Sequence, residues 1–561
     1  MDDRLAKLES RLAAVEVRLS NLEGHTPGSL APDEGEISPT IGDGFVSSAS
    51  TLVGRVLLIF GGAYLLRAIT DFQFVPTALG ISLGATYALF WLFMAYRKGS
   101  VESQRATALF YSGASVLLAL PLLVEATGRF QLLSGPQSII ALTIFCALTV
   151  WVAAIRDQRI LAWLITVGGI AAAFIVLRLT RSTAPVSVFL IVLGVATLWA
   201  CYLRQWKGPR WLAALGANAG VLALALLSTS EQWTVLPLSV FLLGALLLVA
   251  YLVSFALHSH VRGQNVGVFE AVQALLAVGV AFAAASVASR AGQLEMSLVG
   301  FLSLLLSAFA YALAFATSTR KARGRNFYFY SALGLLLLVI GSALVLSPTV
   351  AAATWSLLAL AMAWFSGRYG RVSLSLQCTF LLLAAGVSSG ILETGFQALA
   401  GGTLASWPAL VPWHPVVALT TVACLFIPVA QHSERWGAMA GLPQLIVLAL
   451  SVWEVGGLMV AYAAPFVAGI GSPDADPAIL AALRTAVLSA ASVTLALSSR
   501  FQRWPEARWL VYPVLVLVGV KLFIEDFPNG QPATLFVALA LVGSALILVA
   551  KLLGRDVKSG A

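Results

Sequence analysis

SLVGFLSLLLSAFAYALAFATSTRKARGR, Ser297–Arg325, holds the reading that decides the fold. Residues 297–317 carry no charge, and a helix of that length crosses a hydrocarbon layer of about 30 Å. The tail of the stretch holds Arg320, Lys321, Arg323 and Arg325, and a second apolar run follows from Phe327. An apolar run, a short basic loop and another apolar run describe a hairpin of two membrane helices with its turn on the cytoplasmic side. In lipid only helices and closed barrels satisfy the backbone. The alternating ten-residue strands that announce a barrel are absent here.

Outward from that hairpin the same pattern repeats. The chain of 561 residues is 59% apolar and 11% charged, with a mean hydropathy of +0.91. Soluble domains carry about 25% charged residues, so water is not the main solvent. Spans are predicted near 46–69, 75–96, 106–126, 137–155, 160–177, 185–203, 211–228, 234–257 and 266–288. A second set is predicted near 297–317, 327–346, 349–366, 372–392, 411–430, 440–464, 478–498, 508–524 and 532–553. The fold class is therefore all-α, a polytopic transmembrane helical protein of about eighteen spans, its membrane domain covering 46–553 and a short tail covering 554–561.

With the N-terminus placed in the cytoplasm, loops on that side collect nearly all the basic residues, from Arg97, Lys98 and Arg105 to Arg500, Arg503 and Arg508. The opposite loops hold only Arg129, Arg178, Arg181 and Arg290. That asymmetry sets both termini in the cytoplasm. It also accounts for the net charge of +9 without nucleic acid, because the cations are scattered singly and in small clusters as topology determinants. No basic segment followed by an apolar core occupies the first fifty residues, so the first span is expected to direct insertion.

The N-terminal region has a different pattern. Leu5, Leu8, Leu12, Val15, Leu19 and Leu22 alternate spacings of three and four, with Arg4, Arg11 and Arg18 on one flank and Glu9, Glu16 and Glu23 on the other. A parallel partner sets each Arg against a Glu, whereas an antiparallel copy sets like against like. Residues 1–23 are expected to form a parallel homo-oligomeric coiled coil on a flexible linker, 24–45, rich in Gly, Pro, Ser and acids.

The hairpin FGGAYLLRAITDFQFVPTALGISLGATYALFWLF, Phe60–Phe93, and the closing segment KLFIEDFPNGQPATLFVALALVGSALILVAKLL, Lys521–Leu553, resemble the opening and closing segments of a family of bacterial multispanning proteins, domain of unknown function 2339. The resemblance implies a protein of the bacterial inner membrane. It brings no activity and no catalytic residues.

Ionisable groups in or beside spans require an explanation. Arg67, Asp71, Glu125, Arg129, Lys521, Glu525 and Asp526 fall toward the ends of spans one, three and seventeen opposite the basic loops. Arg67 with Asp71, and Lys521 with Glu525, stand one turn apart and can pair locally. Alternatively the three helices converge, Arg67 and Lys521 hold an anion, and Glu125 beyond Pro121 carries a proton. Glu454, in SVWEVGGLMVAY, is the most deeply placed acid. Glu270 and Gln273 share a turn near the start of the ninth span.

His258 and His260 lack a third ligand, so neither a metal nor a cofactor is expected. Cys146, Cys201, Cys378 and Cys424 read as small packing residues. No P-loop, HExxH or GxSxG is present. A lipid-linked glycosyltransferase is disfavoured, because the loop after Asp71 has no room for substrate-binding helices. Two readings stand: transport or flipping of an envelope-related solute or lipid, and a membrane scaffold assembled through the coiled coil. Lipids and further copies of the chain are the partners either reading implies.

Overall fold

In a computed structural model of the protein, the described residues are 58–318, 324–427, 441–467 and 476–558, apart from 60, 63, 64, 66, 69–71, 73, 231, 234, 371, 401–403, 405, 406, 502 and 503. The expected coiled coil of 1–23, the linker, Asp71 and most of the 46–69 span lie outside them. Among the described residues there is no strand.

The helices are α1 (Thr77–Lys98), α2 (Arg105–Gly128), α3 (Gly135–Arg156), α4 (Arg159–Thr180), α5 (Thr183–Arg204), α6 (Pro209–Leu227), α7 (Pro237–Val261) and α8 (Val268–Arg290). They are followed by α9 (Met296–Ser318), α10 (Gly324–Val345), α11 (Pro348–Tyr369), α12 (Val372–Ser389), α13 (Ile391–Ala400) and α14 (Trp413–Phe426). The last four are α15 (Leu442–Val467), α16 (Pro477–Ser498), α17 (Ala507–Asn529) and α18 (Pro532–Lys558). Sixteen of these are long and apolar enough to cross a membrane, and each coincides with one predicted span. The 349–366 run forms α11. The 411–430 run forms only the fourteen residues of α14. The 372–392 run forms α12, which ends at Ser389, and after Gly390 a further helix, α13, carries the chain on to Ala400.

The ends are set locally. Proline opens α6, α7, α11, α16 and α18, where its missing N–H has no intrahelical partner to lose. Gln137 accepts a hydrogen bond from the Ser134 N–H at 3.0 Å at the start of α3, an N-terminal capping interaction. Between spans the chain reverses within a few residues, so consecutive helices pack as antiparallel hairpins.

Packing is serial. The first eight helices share cores running from Leu92 to Ala284, the α9–α10 hairpin joins α7 and α8 through Leu248, Val278, Ala310 and Leu337, and on its other side Leu335 of α10 joins the core that the later helices build around Trp355, Leu381, Val447 and Val511. Outward faces are apolar along their length: Phe90, Trp151, Leu305 and Val516 are all exposed. Contiguous apolar surface of that extent marks a contact with lipid rather than water.

Candidate functional site

The segment LLLAAGVSSGILETGFQALA, Leu381–Ala400, does not form one helix. Ser388, Ser389 and Gly390 are poor helix formers, and Gly390 adopts φ +80°, a left-handed conformation that ends α12 and that a side chain would resist. The break leaves the Ser389 carbonyl at the end of α12 without a following turn to bond it, and side chains from two other helices meet the backbone on either side of the break. His414 of α14 contacts the Ser389 carbonyl through Nε2 at 2.9 Å, and the Trp453 indole of α15 donates to the Leu392 carbonyl at 3.2 Å. Non-helical backbone is tolerated at membrane depth only with such partners. The second piece, α13, then lies along α15, with Gly395 facing Gly457 so closely that a Cβ on Gly457 would stand 2.5 Å from the Gly395 Cα. Trp453 is near the middle of α15, so the break sits midway along that span.

Glu454 is beside the break. It is 0% exposed, and a Cβ built on Gly386 would lie 3.2 Å from its Oε1. The Thr421 hydroxyl of α14 stands next to it but gives its own hydrogen to the Val417 carbonyl. Neither carboxyl oxygen has a hydrogen-bond partner among the described residues, and nor has His414 Nδ1. A buried polar group left this way costs several kcal/mol, about 2 or more, and such groups call for a reason.

The far end of α13 meets a network of buried charges. The Arg484 guanidinium of α16 donates its Nε–H to the Ala398 carbonyl at 2.6 Å, placing a cation at the negative end of the half-helix. Its Cζ is 5.6 Å from the Trp407 ring centroid, and its Nη1 pairs with Glu525. Lys521 lies 3.1 Å from Glu525 and 3.0 Å from Asp526. It also donates to the Ala481 carbonyl and the Thr485 hydroxyl, while Thr485 donates to Asp526 at 2.9 Å. A π-helical turn, Leu522–Asp526, brings residues 521, 525 and 526 to one side of α17, where π-bulges often serve functional sites. The two cations and two carboxylates sum to zero formal charge, which lowers the cost of burying all four.

Of the groups singled out in the sequence, Lys521, Glu525 and Asp526 therefore act together, and the Lys521–Glu525 pair is present. Arg67 reaches across to Glu125 at 2.9 Å, joining the segment before α1 to α2. Arg129 is exposed, with its Cζ 5.2 Å from the Phe130 ring. Helix α2 packs with α1, α3 and α4, and α17 with α15, α16 and α18, so these two charge groups belong to different parts of the molecule. Glu270 is buried at the start of α8, accepting from Tyr202 at 3.0 Å, Arg210 at 3.2 Å and the Gly267 N–H at 2.8 Å. Gln273 accepts from Asn218 at 2.8 Å. His258 stacks on Tyr202, and among the described residues no three metal-ligating side chains gather.

Sequence reading missed Arg484 and His414. A signal for Arg484 was available: in PAILAALRTAVLSA it is a lone cation two turns inside an otherwise apolar span. His414, between Trp413 and Pro415, carries no spacing that relates it to residue 389.

Fold and site together define an all-α polytopic membrane protein with an interrupted helix. The chain matches no known protein family, no curated protein and no solved structure.

Proposed function

We propose that this protein moves a solute or lipid across the membrane, and that the interruption between α12 and α13 beside Glu454 is where it does so. The observation that carries the reading is the fully buried Glu454 carboxyl, without a hydrogen-bond partner among the described residues, beside a helix break that lies level with the middle of α15. Broken helices near the midplane are where transporters place substrate and coupling-ion sites, because freed backbone groups and half-helix ends supply the ligands. In that position a carboxyl is tolerated neutral and becomes charged only when a cation, a proton acceptor or water reaches it. Arg484 ties the other end of α13 to α17, so motion of the half-helix would be coupled to the buried charge network. The loop-charge asymmetry supports a setting in the bacterial inner membrane with both termini cytoplasmic. The resemblance of the two hairpins to domain of unknown function 2339 points to the same compartment.

The test needs no known substrate. With the four cysteines replaced, a single cysteine at Ser389 in membrane vesicles of both orientations is treated with a membrane-impermeant thiol reagent. Transport by alternating access requires reaction from both faces, with Glu454→Gln suppressing one of them. Protection from both faces in every variant would remove the proposal.

A scaffold reading rests on a separate observation, the leucine seam from Leu5 to Leu22. It requires that Leu12→Asp with Val15→Asp dissociate the oligomer in native membranes while thiol access at position 389 stays unchanged.

A further inference from the structure

Between α2 and α4 the surface opens into a groove of about 730 Å³. The two helices run parallel, with Gly168 against Leu120 and Gly128 against Leu179. Small residues, Gly168, Ala171 and Ala172, make room between walls formed by Leu117, Pro121, Trp163 and Val167. From Ile160 to Ile175 the groove follows α4 for roughly 22 Å at the helical rise, more than the depth of one hydrocarbon leaflet, about 15 Å.

One end of this apolar channel is charged. Glu125 lines it, held by Arg67 at 2.9 Å. Arg129 follows Glu125 by one turn and is exposed, and Arg178 follows Ile175 by three residues on the same exposed face of α4. Because Gly128 abuts Leu179, Arg129 and Arg178 stand at the same end of α2 and α4 as the Arg67–Glu125 pair. The loops on this membrane face are nearly free of cations, with only Arg129, Arg178, Arg181 and Arg290 in them. Two of these four stand at the end of this single groove, whereas Arg181 is turned away toward the Gln232 carbonyl and Trp233. Topology gives no reason for cations here. Arginine clusters suit phosphate oxygens, and a long apolar slot open to the bilayer suits an acyl chain.

We infer that this groove is a specific site for an anionic phospholipid, its chain lying between α2 and α4 and its phosphate at Arg129 and Arg178, with Glu125 neutralised by Arg67. The site is independent of the interrupted helix and stands or falls separately from the transport reading.

The full chain is reconstituted in phosphatidylcholine vesicles containing a trace of either phosphatidylglycerol or phosphatidylcholine with a photoactivatable acyl chain, and adducts are mapped by mass spectrometry. Phosphatidylglycerol adducts on Leu117, Val167 and Ile175 should exceed those on Leu305, an equally lipid-exposed residue of α9, several-fold. They should also exceed the phosphatidylcholine adducts at the same positions. Arg129→Gln with Arg178→Gln should bring the two lipids level, and Ala171→Trp should empty the groove of both. Equal labelling of groove and α9, or equal labelling by both lipids in the unaltered protein, overturns the site. Loss of the preference on adding inorganic phosphate at constant ionic strength assigns the cations to the free anion and overturns it as well. The comparison of lipids in the unaltered chain decides the matter even if a variant fails to fold.

Discussion

Arg484 joins two helices that the chain order keeps apart: its guanidinium pairs with Glu525 on α17 and, through Nε, holds the Ala398 carbonyl near the end of α13. Arg484 is 3% exposed and Glu525 18%. Removing Arg484 leaves Lys521 as the one cation of this network facing both Glu525 and Asp526, and loss of one partner from a buried pair costs about 3–5 kcal/mol.

Arg484→Ala should therefore lower the thermal midpoint of the purified protein markedly. Arg484→Ala combined with Glu525→Ala should cost less than the sum of the two single changes, because the groups share one network. Additive losses in the cycle would mean that the pair is not coupled.

Glu454→Gln should behave differently. The carboxyl has no hydrogen-bond partner among the described residues, so the isosteric amide removes no bond and should shift stability by less than about 1 kcal/mol. Glu454→Lys, a charge without a partner at the same depth, should prevent accumulation of folded protein. A large loss in the Gln variant, read by thermal unfolding in detergent, would instead make Glu454 a structural hydrogen-bonding residue.

The contact of Gly395 with Gly457 gives a packing prediction. A methyl group at Gly457 meets backbone, which cannot swing away, so Gly457→Ala should destabilise by about 1–3 kcal/mol as overpacking does. Gly279 and Gly543 have nothing within 4 Å of an added Cβ. Alanine at either should stabilise by roughly 0.5–1 kcal/mol, since it only raises helix propensity. Thermal midpoints of the three variants, compared in one detergent, check the opposite signs.

Glu506, in the turn before α17, packs against Gly441. Burial raises its carboxyl above the ordinary value of 4.5, and its Oε2 has no hydrogen-bond partner among the described residues. An acid with a raised native pKa binds more protons folded than unfolded. Its stabilising contribution is complete below pH 4.5 and is lost as the pH climbs through the raised value. Glu506→Gln should therefore raise the thermal midpoint at neutral pH, with the gain vanishing near pH 4. A gain independent of pH would rule out this cause.

How much could be read in advance varied along the chain. The α9–α10 hairpin was legible at once, because hydropathy over some twenty residues and a basic turn are enough to define it. The 372–392 run was harder, since its apolar count describes a span and says nothing of Gly390 adopting a left-handed conformation. Lys521 and Glu525 could be paired from a spacing of four. Their partners Arg484 and Thr485 could not, being on another helix.

Residue order by itself determined the solvent, the class of fold and the approximate limits of sixteen spans, because length and hydropathy belong to contiguous segments and lipid permits few alternatives to a helix. Only the tertiary structure decided that Arg67 meets Glu125, that Arg484 meets Glu525 forty-one residues away, and that Glu454 faces a helix break. Apolar helices offer many near-equivalent faces to one another, and close packing of small residues and buried polar contacts selects among them.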